Sequence, residues 1–251
     1  MSENKEFESQ VALVTAGGAG IGRAISLQLA REGARVVVSD INDEAGQETI
    51  RLIEEAGGTG AYHHVDVSQS GEVDSLIPFT LETFGRLDLC VNNAGVGAMP
   101  TAMEDVERKA WDRAMNITLT GTFLCMQAQL RHLHAQGSGS VVNIASLAGI
   151  SATPELTPYG ASKHGVVSLT RSAAIEYADK GVRVNAVAPG AIETAALASL
   201  PEESRRGYEQ EIPMKRLGQV EDIAEATCFL LSERASFITG VVLRVDGGTE
   251  A

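Results

Sequence analysis

Residues 11–23 of the chain read VALVTAGGAGIGR, an apolar run followed by a turn that contains four glycines. A short, continuously apolar run is typical of a strand covered on both faces, and an uninterrupted helical pattern follows through Arg31. Glycines at a strand-to-helix turn let the backbone approach a ligand closely, and the first N–H groups of the helix favour an anion. This stretch therefore predicts a strand, a turn and a helix that together bind a phosphate group.

The alternation of short apolar runs and longer helical patterns continues to the end of the chain. The predicted strands lie at 11–15, 35–39, 61–65, 87–91, 140–145, 182–188 and 241–245. The predicted helices lie between the glycine turn and 31, and near 43–56, 71–84, 106–133, 159–179 and 220–231. Regular alternation with short connections predicts an α/β protein with one doubly wound Rossmann fold, a seven-stranded parallel sheet with helices on both faces.

The chain divides into a short tail and one domain. Residues 1–9 are polar and charged and are predicted to be an N-terminal tail, and 10–251 are predicted to be a single Rossmann-type domain. The one long irregular stretch, 191–213, contains Pro201 and Pro213 and several charges. Because long structureless segments in compact domains are usually functional, this stretch is predicted to be a substrate lid.

Composition excludes several classes of protein. A net charge of −13 argues against nucleic-acid and anionic-membrane partners, which attract clustered Lys and Arg. The three cysteines lie far apart in apolar settings and the five histidines form no ligand set, so neither disulfides nor a metal site is predicted. No apolar signal region begins the chain, which predicts a cytoplasmic protein.

The glycine turn has the spacing Gly-x-x-x-Gly-x-Gly, with Ala16 at the first glycine position. If that position needs a positive φ, alanine costs about 1 kcal/mol. We expect the dinucleotide still to bind, with an affinity that Ala16 lowers at most modestly. The residues predicted to contact its pyrophosphate are Gly18, Ala19, Gly20, Ile21 and Gly22.

Polar residues follow the next three predicted strands. Asp40 ends the second strand, and a carboxylate there accepts hydrogen bonds from ribose hydroxyls and repels a 2′-phosphate. Since Ile41 follows it, with no Arg or Lys beside it, the sequence favours NAD over NADP. Asp66 and Val67 end the third strand and are read equally well as a helix N-cap region or as an adenine contact. Small residues after the fourth strand leave room for a cofactor, which places Asn93, Ala94 and Gly95 among the predicted binding residues.

Tyr159 and Lys163 are four residues apart on a predicted helix and therefore project from the same face. An ammonium beside the phenol favours the phenolate, which otherwise forms only near pH 10. Lowering that pKa by two or three units requires roughly 3–4 kcal/mol, which the ammonium and a cationic nicotinamide supply together. Such a tyrosine exchanges a proton with an alcohol or carbonyl oxygen near neutral pH.

In their order and spacing, these motifs resemble the short-chain dehydrogenase/reductase family over nearly the whole chain. The resemblance rests on the glycine turn, Asp66, 92–95, Asn116, Ser146, Tyr159, Lys163, Pro189-Gly190 with Thr194, and 246–248. It implies that Tyr159 is the catalytic acid/base, that Lys163 binds the nicotinamide ribose, and that Ser146 binds the substrate oxygen. It further implies that Asn116 anchors a proton-relaying water and that Thr194 holds the nicotinamide carboxamide. Pro189, Gly190 and Ile192 complete the implied cofactor site.

The implied reaction is reversible hydride transfer between NAD(H) and a secondary alcohol/ketone pair. The pocket walls, 96–99, 147–156 and the lid, are rich in Leu, Ile and Pro and contain no Arg or Lys in the first two. A fairly apolar cyclic alcohol, diol, steroid or neutral sugar is therefore expected. The alternatives are an NADPH-dependent 3-oxoacyl carrier-protein-type reductase and a non-catalytic NAD-sensing protein. The resemblance also implies a homotetramer.

Overall fold

In the computed structural model, which describes residues 5–198 and 202–251, the chain forms one parallel sheet with helices on both faces. The strands are β1 (Val11–Thr15), β2 (Arg35–Asp40), β3 (Thr59–His64), β4 (Leu89–Asn92), β5 (Gly139–Ile144), β6 (Val182–Pro189) and β7 (Val242–Val245). The helices are α1 (Gly20–Arg31), α2 (Asp43–Glu55), α3 (Ser70–Val73), α4 (Leu76–Phe84), α5 (Arg108–Ala114), α6 (Gly121–Gln136), α7 (Thr157–Tyr177), α8 (Ala195–Ala198), α9 (Glu202–Glu211) and α10 (Val220–Leu231).

The sheet has seven strands in the order β3-β2-β1-β4-β5-β6-β7, and the neighbouring strands run parallel. The predicted doubly wound fold is therefore confirmed. The chain order reverses between β1 and β4, and a crevice opens beyond the carboxyl ends of strands at such a point. Both strands carry predicted cofactor residues at those ends.

Two apolar clusters, one on each face of the sheet, form the core. Val14 and Val38 face a cluster with Ile25 of α1 and Ile223 of α10. The neighbouring strand residue Leu13 faces the other cluster. That second cluster includes Val37, Leu76, Cys125 and Leu133. Because successive side chains of a strand point to opposite faces, continuously apolar strands serve both clusters at once.

Several elements differ from those that the sequence predicts. The predicted helix at 71–84 is divided into α3 and α4, and the one at 106–133 contains a π-helical turn, Met115–Thr120, between α5 and α6. The 191–213 stretch is largely helical rather than irregular, since it holds α8 and α9, whereas residues 199–201 lie outside the described residues. Phe7, within the predicted polar tail, is only 1% exposed and packs in the core.

Among the described residues, no helix combines the length and the apolar character that crossing a membrane requires. Within the same residues, no cluster of three or more His, Cys, Asp or Glu side chains is arranged to hold a metal ion. Cys90, Cys125 and Cys228 are buried free thiols.

Candidate active site

One cleft at the carboxyl edge of the sheet brings together half of the site residues predicted from the sequence. Its lining comes from the start of α1, the ends of β4, β5 and β6, and the face of α7. The lining residues are Ile21, Asn93, Gly95, Val96, Gly97, Ile144, Ala145, Ser146, Tyr159, Lys163, Pro189, Gly190, Ile192 and Thr194. The cleft thus unites predicted catalytic residues with predicted cofactor residues from distant parts of the chain.

The glycine turn approaches the end of β1 so closely that no side chain fits at Gly22. A β-carbon on Gly22 would lie 2.1 Å from the carbonyl oxygen of Ala16. Ala16 has φ +48°, so the condition under which alanine is strained at this position is met. Ala19, the N-cap of α1, provides no side-chain hydrogen bond to the first turn. Ala19 thus leaves the first N–H groups of α1 without a capping side chain, as an anion site at a helix N-terminus requires.

Asp40 reaches back from the end of β2 to the glycine turn. Its Oδ2 accepts a hydrogen bond of 2.9 Å from the Gly18 N–H, and its Oδ1 accepts one of 2.9 Å from the Asn42 N–H. The Ile41 side chain is 61% exposed. The neighbouring Arg23 guanidinium donates to the carbonyl oxygens of Gly18 and Ala45. This carboxylate is thus fixed beside the turn, at the position predicted for a ribose contact.

Asp66 forms a local turn just after β3. Its Oδ1 accepts from the Ser68 N–H at 2.9 Å, and its backbone N–H donates to Glu72 Oε2 at 2.7 Å. Val67 is buried against Gly121, where a β-carbon would lie 2.7 Å from Val67 Cγ2. These bonds form a turn that precedes Gln69, the N-cap of α3, and the adenine contact of Asp66 and Val67 stays a prediction.

Asn93 and Thr15 join the end of β4 to the end of β1. The Asn93 side-chain amide donates to the carbonyl oxygens of Thr15 and Ala16, at 3.3 and 3.0 Å. Thr15 Oγ1 accepts from the backbone N–H groups of Asn93 and Ala94, at 3.0 and 3.2 Å. Asn93 therefore supports the strained turn at Ala16. Thr15 takes part in the same contact, although the sequence did not single it out.

A buried polar network lies directly behind the cleft. Asn92 Nδ2 donates to Gln129 Oε1 at 3.0 Å and to Asn143 Oδ1 at 2.9 Å, and Asn143 Nδ2 donates to Thr170 Oγ1 at 2.8 Å. Of these four residues, Asn92 is the most exposed, at 3%. The network ties β4 and β5 to α6 and α7, which fixes the strand ends that carry Asn93 and Ser146 relative to Tyr159.

Ser146, Tyr159 and Lys163 meet at the centre of the cleft. Ser146 is the extended residue that follows β5, with φ −174°, and its Oγ accepts from the Ala148 N–H at 3.2 Å. Tyr159 and Lys163 lie one turn apart on α7, and Lys163 Nζ is 5.9 Å from the centre of the Tyr159 ring. The Lys163 Nζ also donates to the carbonyl oxygen of Ile144 at 2.7 Å. A hydroxyl, a phenol and an amine are thus directed towards one space.

Burial shifts the two ionisable groups of this trio in opposite directions. Burial raises the pKa of Tyr159, and a hydrogen bond with the Ser146 side chain lowers it by less, so the net shift is upward. Burial of Lys163, which is 5% exposed, lowers the pKa of its ammonium to about 8. The chain by itself thus favours the neutral phenol, whereas the sequence argument expects the ammonium to lower the pKa of Tyr159.

Asn116 is not brought into this cluster. Its side chain is exposed on the π-helical turn, whereas Thr118 two residues later is fully buried, at 0% exposure. Thr118 Oγ1 accepts from the Val96 N–H at 3.1 Å, at the edge of the cleft. Helical periodicity distinguishes Thr118 from Asn116. Thr118 lies four residues after the buried Ala114 and shares its face, whereas Asn116 lies on the opposite face.

The residues after β6 close the cleft on its far side. Gly190 packs so tightly that a β-carbon would lie 2.9 Å from Asp246 Cα. A β-carbon on Gly20 would lie 3.9 Å from Thr194 Cγ2, so Thr194 faces the glycine turn across the cleft. Ile192 is buried and forms an isolated bridge with Gly218. Together with the open N-terminus of α1, this arrangement fits an extended dinucleotide that runs from Asp40 to Thr194.

A second cavity adjoins the cleft at Val96 and Gly97 and continues along α5. Apolar residues Met99 and Val106 line it, but so do four charged side chains. These are Asp105, Glu107, Lys109 and Arg113. Lys109 and Arg113 of α5 lie outside the three pocket walls predicted from the sequence. This cavity therefore carries cationic side chains, although two of the predicted walls contain no Arg or Lys.

Comparisons with known proteins agree with this geometry. The family model described as enoyl-(acyl carrier protein) reductase matches residues 15–250. The cyclohexanol dehydrogenase of Acinetobacter sp. (strain SE19) is 39% identical over 244 residues, which span 97% of this chain and 96% of that protein. The cis-4-hydroxycyclohexanecarboxylate dehydrogenase of Sinomonas cyclohexanicum is 40% identical over 245 residues, 98% of each chain. The crystal structure of levodione reductase superposes with a TM-score of 0.94 at 36% identity, covering 96% of this chain and 98% of that one.

Proposed function

The chain belongs to the short-chain dehydrogenase/reductase family of oxidoreductases, and on that premise we propose that it is an NAD(H)-dependent dehydrogenase of cyclic secondary alcohols. The observation that carries the proposal is the convergence of Ser146, Tyr159 and Lys163 on one space beside the dinucleotide cleft. Oxidoreduction of a secondary alcohol/ketone pair is the chemistry of its relatives, which include cyclohexanol and steroid dehydrogenases.

A nicotinamide dinucleotide held between the glycine turn, Asp40 and Thr194 would supply the hydride chemistry of the proposed reaction, as acceptor in alcohol oxidation and as donor in ketone reduction. Tyr159 exchanges the proton of the substrate oxygen, as acid in ketone reduction and as base in alcohol oxidation. Ser146 donates a hydrogen bond to the same oxygen and stabilises the charge that develops on it. Lys163 holds its ammonium behind Tyr159 through the carbonyl oxygen of Ile144 and binds the ribose.

NAD is proposed over NADP because of the charge at the end of β2. Asp40 is held at the glycine turn by the Gly18 N–H, so a 2′-phosphate would meet a fixed carboxylate there. The nearest arginine, Arg23, directs donors to Thr49 Oγ1, at 3.0 Å, and to two backbone carbonyl oxygens. Its side chain is therefore already bonded within the protein.

Support for a cyclic substrate comes from the relatives and from the apolar segment that the sequence predicts as a pocket wall. Leu147, Ile150 and Leu156 belong to the segment between Ser146 and Tyr159, and each is partly buried. Two relatives carry names of six-membered ring alcohols at 39% and 40% identity. We therefore propose an apolar ring that carries one secondary hydroxyl group.

The test is the absorbance change at 340 nm with NAD or NADP and a panel of cyclohexanols, diols, steroids and sugars. We expect turnover with NAD and a cyclohexanol, and none in the Tyr159→Phe variant, which should still bind NAD. Turnover with NADP alone would favour the carrier-protein-type reductase. Binding of NAD without turnover across the panel would favour a sensor, and full activity of Tyr159→Phe would refute the mechanism.

The proposal extends to assembly and location. We propose a cytoplasmic homotetramer that pairs α6 and α7 with their counterparts. Exposed apolar side chains on these helices, Phe123 at 44% and Ile175 at 83%, support such pairing. Light scattering on a size-exclusion column tests it: a tetramer is expected, and a monomer at micromolar concentration would contradict it.

A further inference from the structure

The phenol of Tyr62 contacts the end of β2, and neither the sequence motifs nor the proposed reaction gives it a role. In the register of β2 and β3, Tyr62 lies beside Val38, and His64 lies beside Asp40. Tyr62 Oη is 2.8 Å from the carbonyl oxygen of Asp40 and 2.7 Å from Asp43 Oδ1. One hydroxyl thus joins β3 to the residue proposed to bind the ribose and to the first residue of α2.

Packing fixes the place of the Tyr62 ring. The ring lies against the start of α2, where a β-carbon on Gly46 would come within 2.1 Å of Tyr62 Cε2. It also packs against the core cluster that contains Ile50 and Ile53 of the same helix. The absence of a side chain at Gly46 thus makes room for the ring, and the ring in turn places its hydroxyl at the end of β2.

The phenol has one proton and two acceptors within reach. A carboxylate is a stronger acceptor than a carbonyl group, so Asp43 competes with the Asp40 carbonyl oxygen for this proton. His64 Nδ1 is 2.7 Å from the same Asp43 Oδ1, and the hydrogen bond with Asp43 raises the pKa of His64 and so favours the protonated, donating form. With a second donor on Asp43, the phenol proton is shared between the two acceptors in a three-centre bond.

Asp40 is the last residue of β2, and the chain leaves the sheet at the exposed Ile41. The Asp40 carbonyl oxygen accepts from the Val65 N–H at 3.1 Å. Among the described residues, Tyr62 has the only side chain that bonds to the Asp40 backbone. A binding group must lie within about 0.5 Å of its productive position, and hydrogen bonds from neighbouring residues hold it there. The Tyr62 hydroxyl therefore acts on the affinity for the ribose.

We propose that Tyr62 is a positioning residue, whose hydroxyl fixes Asp40 for the adenosine ribose and so strengthens the preference for NAD. Asp43 and His64 orient the phenol from the side of α2. The inference rests on the proposed function only in the binding of a dinucleotide at Asp40. It requires neither turnover nor a particular alcohol.

The test is calorimetric titration of Tyr62→Phe, which loses the hydroxyl and keeps the ring in its place beside Gly46. We expect the Kd of NAD to rise about fivefold, the effect of losing one hydrogen bond. The Kd of NADP should change little, because a 2′-phosphate gains nothing from a fixed carboxylate. At saturating NAD, kcat should equal that of the wild type.

ADP-ribose, which lacks the nicotinamide, shows at which end of the dinucleotide Tyr62 acts. Its Kd should rise in Tyr62→Phe by the same factor as that of NAD, because both ligands carry the adenosine ribose. A loss of affinity for NAD without a loss for ADP-ribose would place the effect at the nicotinamide end and overturn the proposal.

A double-mutant cycle with Asp40→Ala tests whether Tyr62 acts through Asp40. In the Asp40→Ala background, Tyr62→Phe should leave the Kd of NAD unchanged, because the carboxylate that it positions is gone. Equal losses from Tyr62→Phe in both backgrounds would show that the two residues act independently, and the proposal would be wrong.

The matched control is Tyr177→Phe on α7, where the ring is also partly buried. The Tyr177 ring meets His134 edge-on at 6.1 Å between centres and lies 4.5 Å from Lys180 Nζ, outside the dinucleotide cleft. The Kd of NAD in this variant should match that of the wild type, whatever its Tm. If Tyr62→Phe likewise changes only the Tm, its hydroxyl is structural and the proposal is overturned.

Titration of the wild type separates this inference from the proposed function. A wild type that binds NAD, with equal affinity in Tyr62→Phe, would overturn the role of Tyr62 and leave the proposed function intact. A loss of affinity in Tyr62→Phe, in a protein that turns over no alcohol, would support that role and refute the dehydrogenase. A wild type that binds neither NAD nor ADP-ribose would refute both, since no ribose then lies at Asp40.

Discussion

Replacing Lys163 by methionine should change the pH dependence of stability in a calculable way. Lys163 is 5% exposed, and burial lowers the pKa of its ammonium from 10.5 to about 8. Methionine has a similar length and carries no charge. Because one pKa unit corresponds to about 1.36 kcal/mol, this lowering of the pKa means that the fold disfavours the charged form of Lys163 by about 3 kcal/mol.

The sign follows from proton binding in the two states. Between pH 8 and 10.5 the unfolded lysine keeps its proton and the folded one releases it, so the free energy of unfolding rises with pH there. The stabilising contribution is fully present above pH 10.5 and is lost as the pH falls through about 8. Between pH 7 and 9.5 it amounts to about 2 kcal/mol. Lys163→Met lacks this contribution entirely.

The assay is urea unfolding at pH 7, 8.5 and 9.5, at one protein concentration, followed by the fluorescence of Trp111, the single tryptophan. We expect the advantage of Lys163→Met over the wild type to shrink by about 2 kcal/mol across this range. Packing changes do not depend on pH, so they cancel in this comparison. A Lys109→Met control, at an exposed position, should follow the wild type. A difference that stays constant with pH would refute a depressed Lys163 pKa.

Three further changes test other parts of the site. Ala16→Gly should raise the Tm, because it relieves about 1 kcal/mol of strain at φ +48°. This gain exceeds the stability lost through the greater freedom of glycine in the unfolded chain. A lower Tm would show that the turn is unstrained. Asn143→Ala should lower the free energy of unfolding by about 2–3 kcal/mol, since Asn92 and Thr170 lose a buried partner, and urea unfolding measures it. Asp40→Ala should weaken NAD binding at least about tenfold and narrow the preference over NADP; calorimetric titration with both dinucleotides checks this, and an unchanged ratio would exclude Asp40 as the determinant.

The fold was predictable from the sequence because the strand residues supply apolar side chains to both core clusters. Residues 11–14 and 36–38 are apolar without interruption, and the alternate side chains of 12–14 and 36–38 supply the two clusters on opposite faces of the sheet. Where local patterns compete, prediction was less accurate. The 191–213 stretch contains prolines and charges that resemble a loop, yet α9 within it is a polar, amphipathic helix.

The site was predictable where a motif names both residue and spacing, as for Tyr159 and Lys163. The role of Asn116 stays a prediction: it weighed residue type above helical phase, and the side chain is exposed in the structure. Positions 114, 118, 122, 125 and 129 are buried along one face, and 116 does not belong to that face. The φ of Ala16, which decides whether its methyl is strained, depends on how closely α1 approaches β1. No local pattern expresses that distance.

The charge states of Tyr159 and Lys163 do not follow from the motif alone. Burial raises the pKa of Tyr159 and lowers that of Lys163, so the same desolvation opposes both ions that the motif presupposes. A neutral phenol is the competent donor for ketone reduction, whereas alcohol oxidation requires the phenolate. The charge that lowers the Tyr159 pKa must therefore come from stabilising the Lys163 ammonium and from a cation bound in the cleft. It follows that the groups that stabilise the Lys163 ammonium set the pH above which the phenolate needed for alcohol oxidation is available.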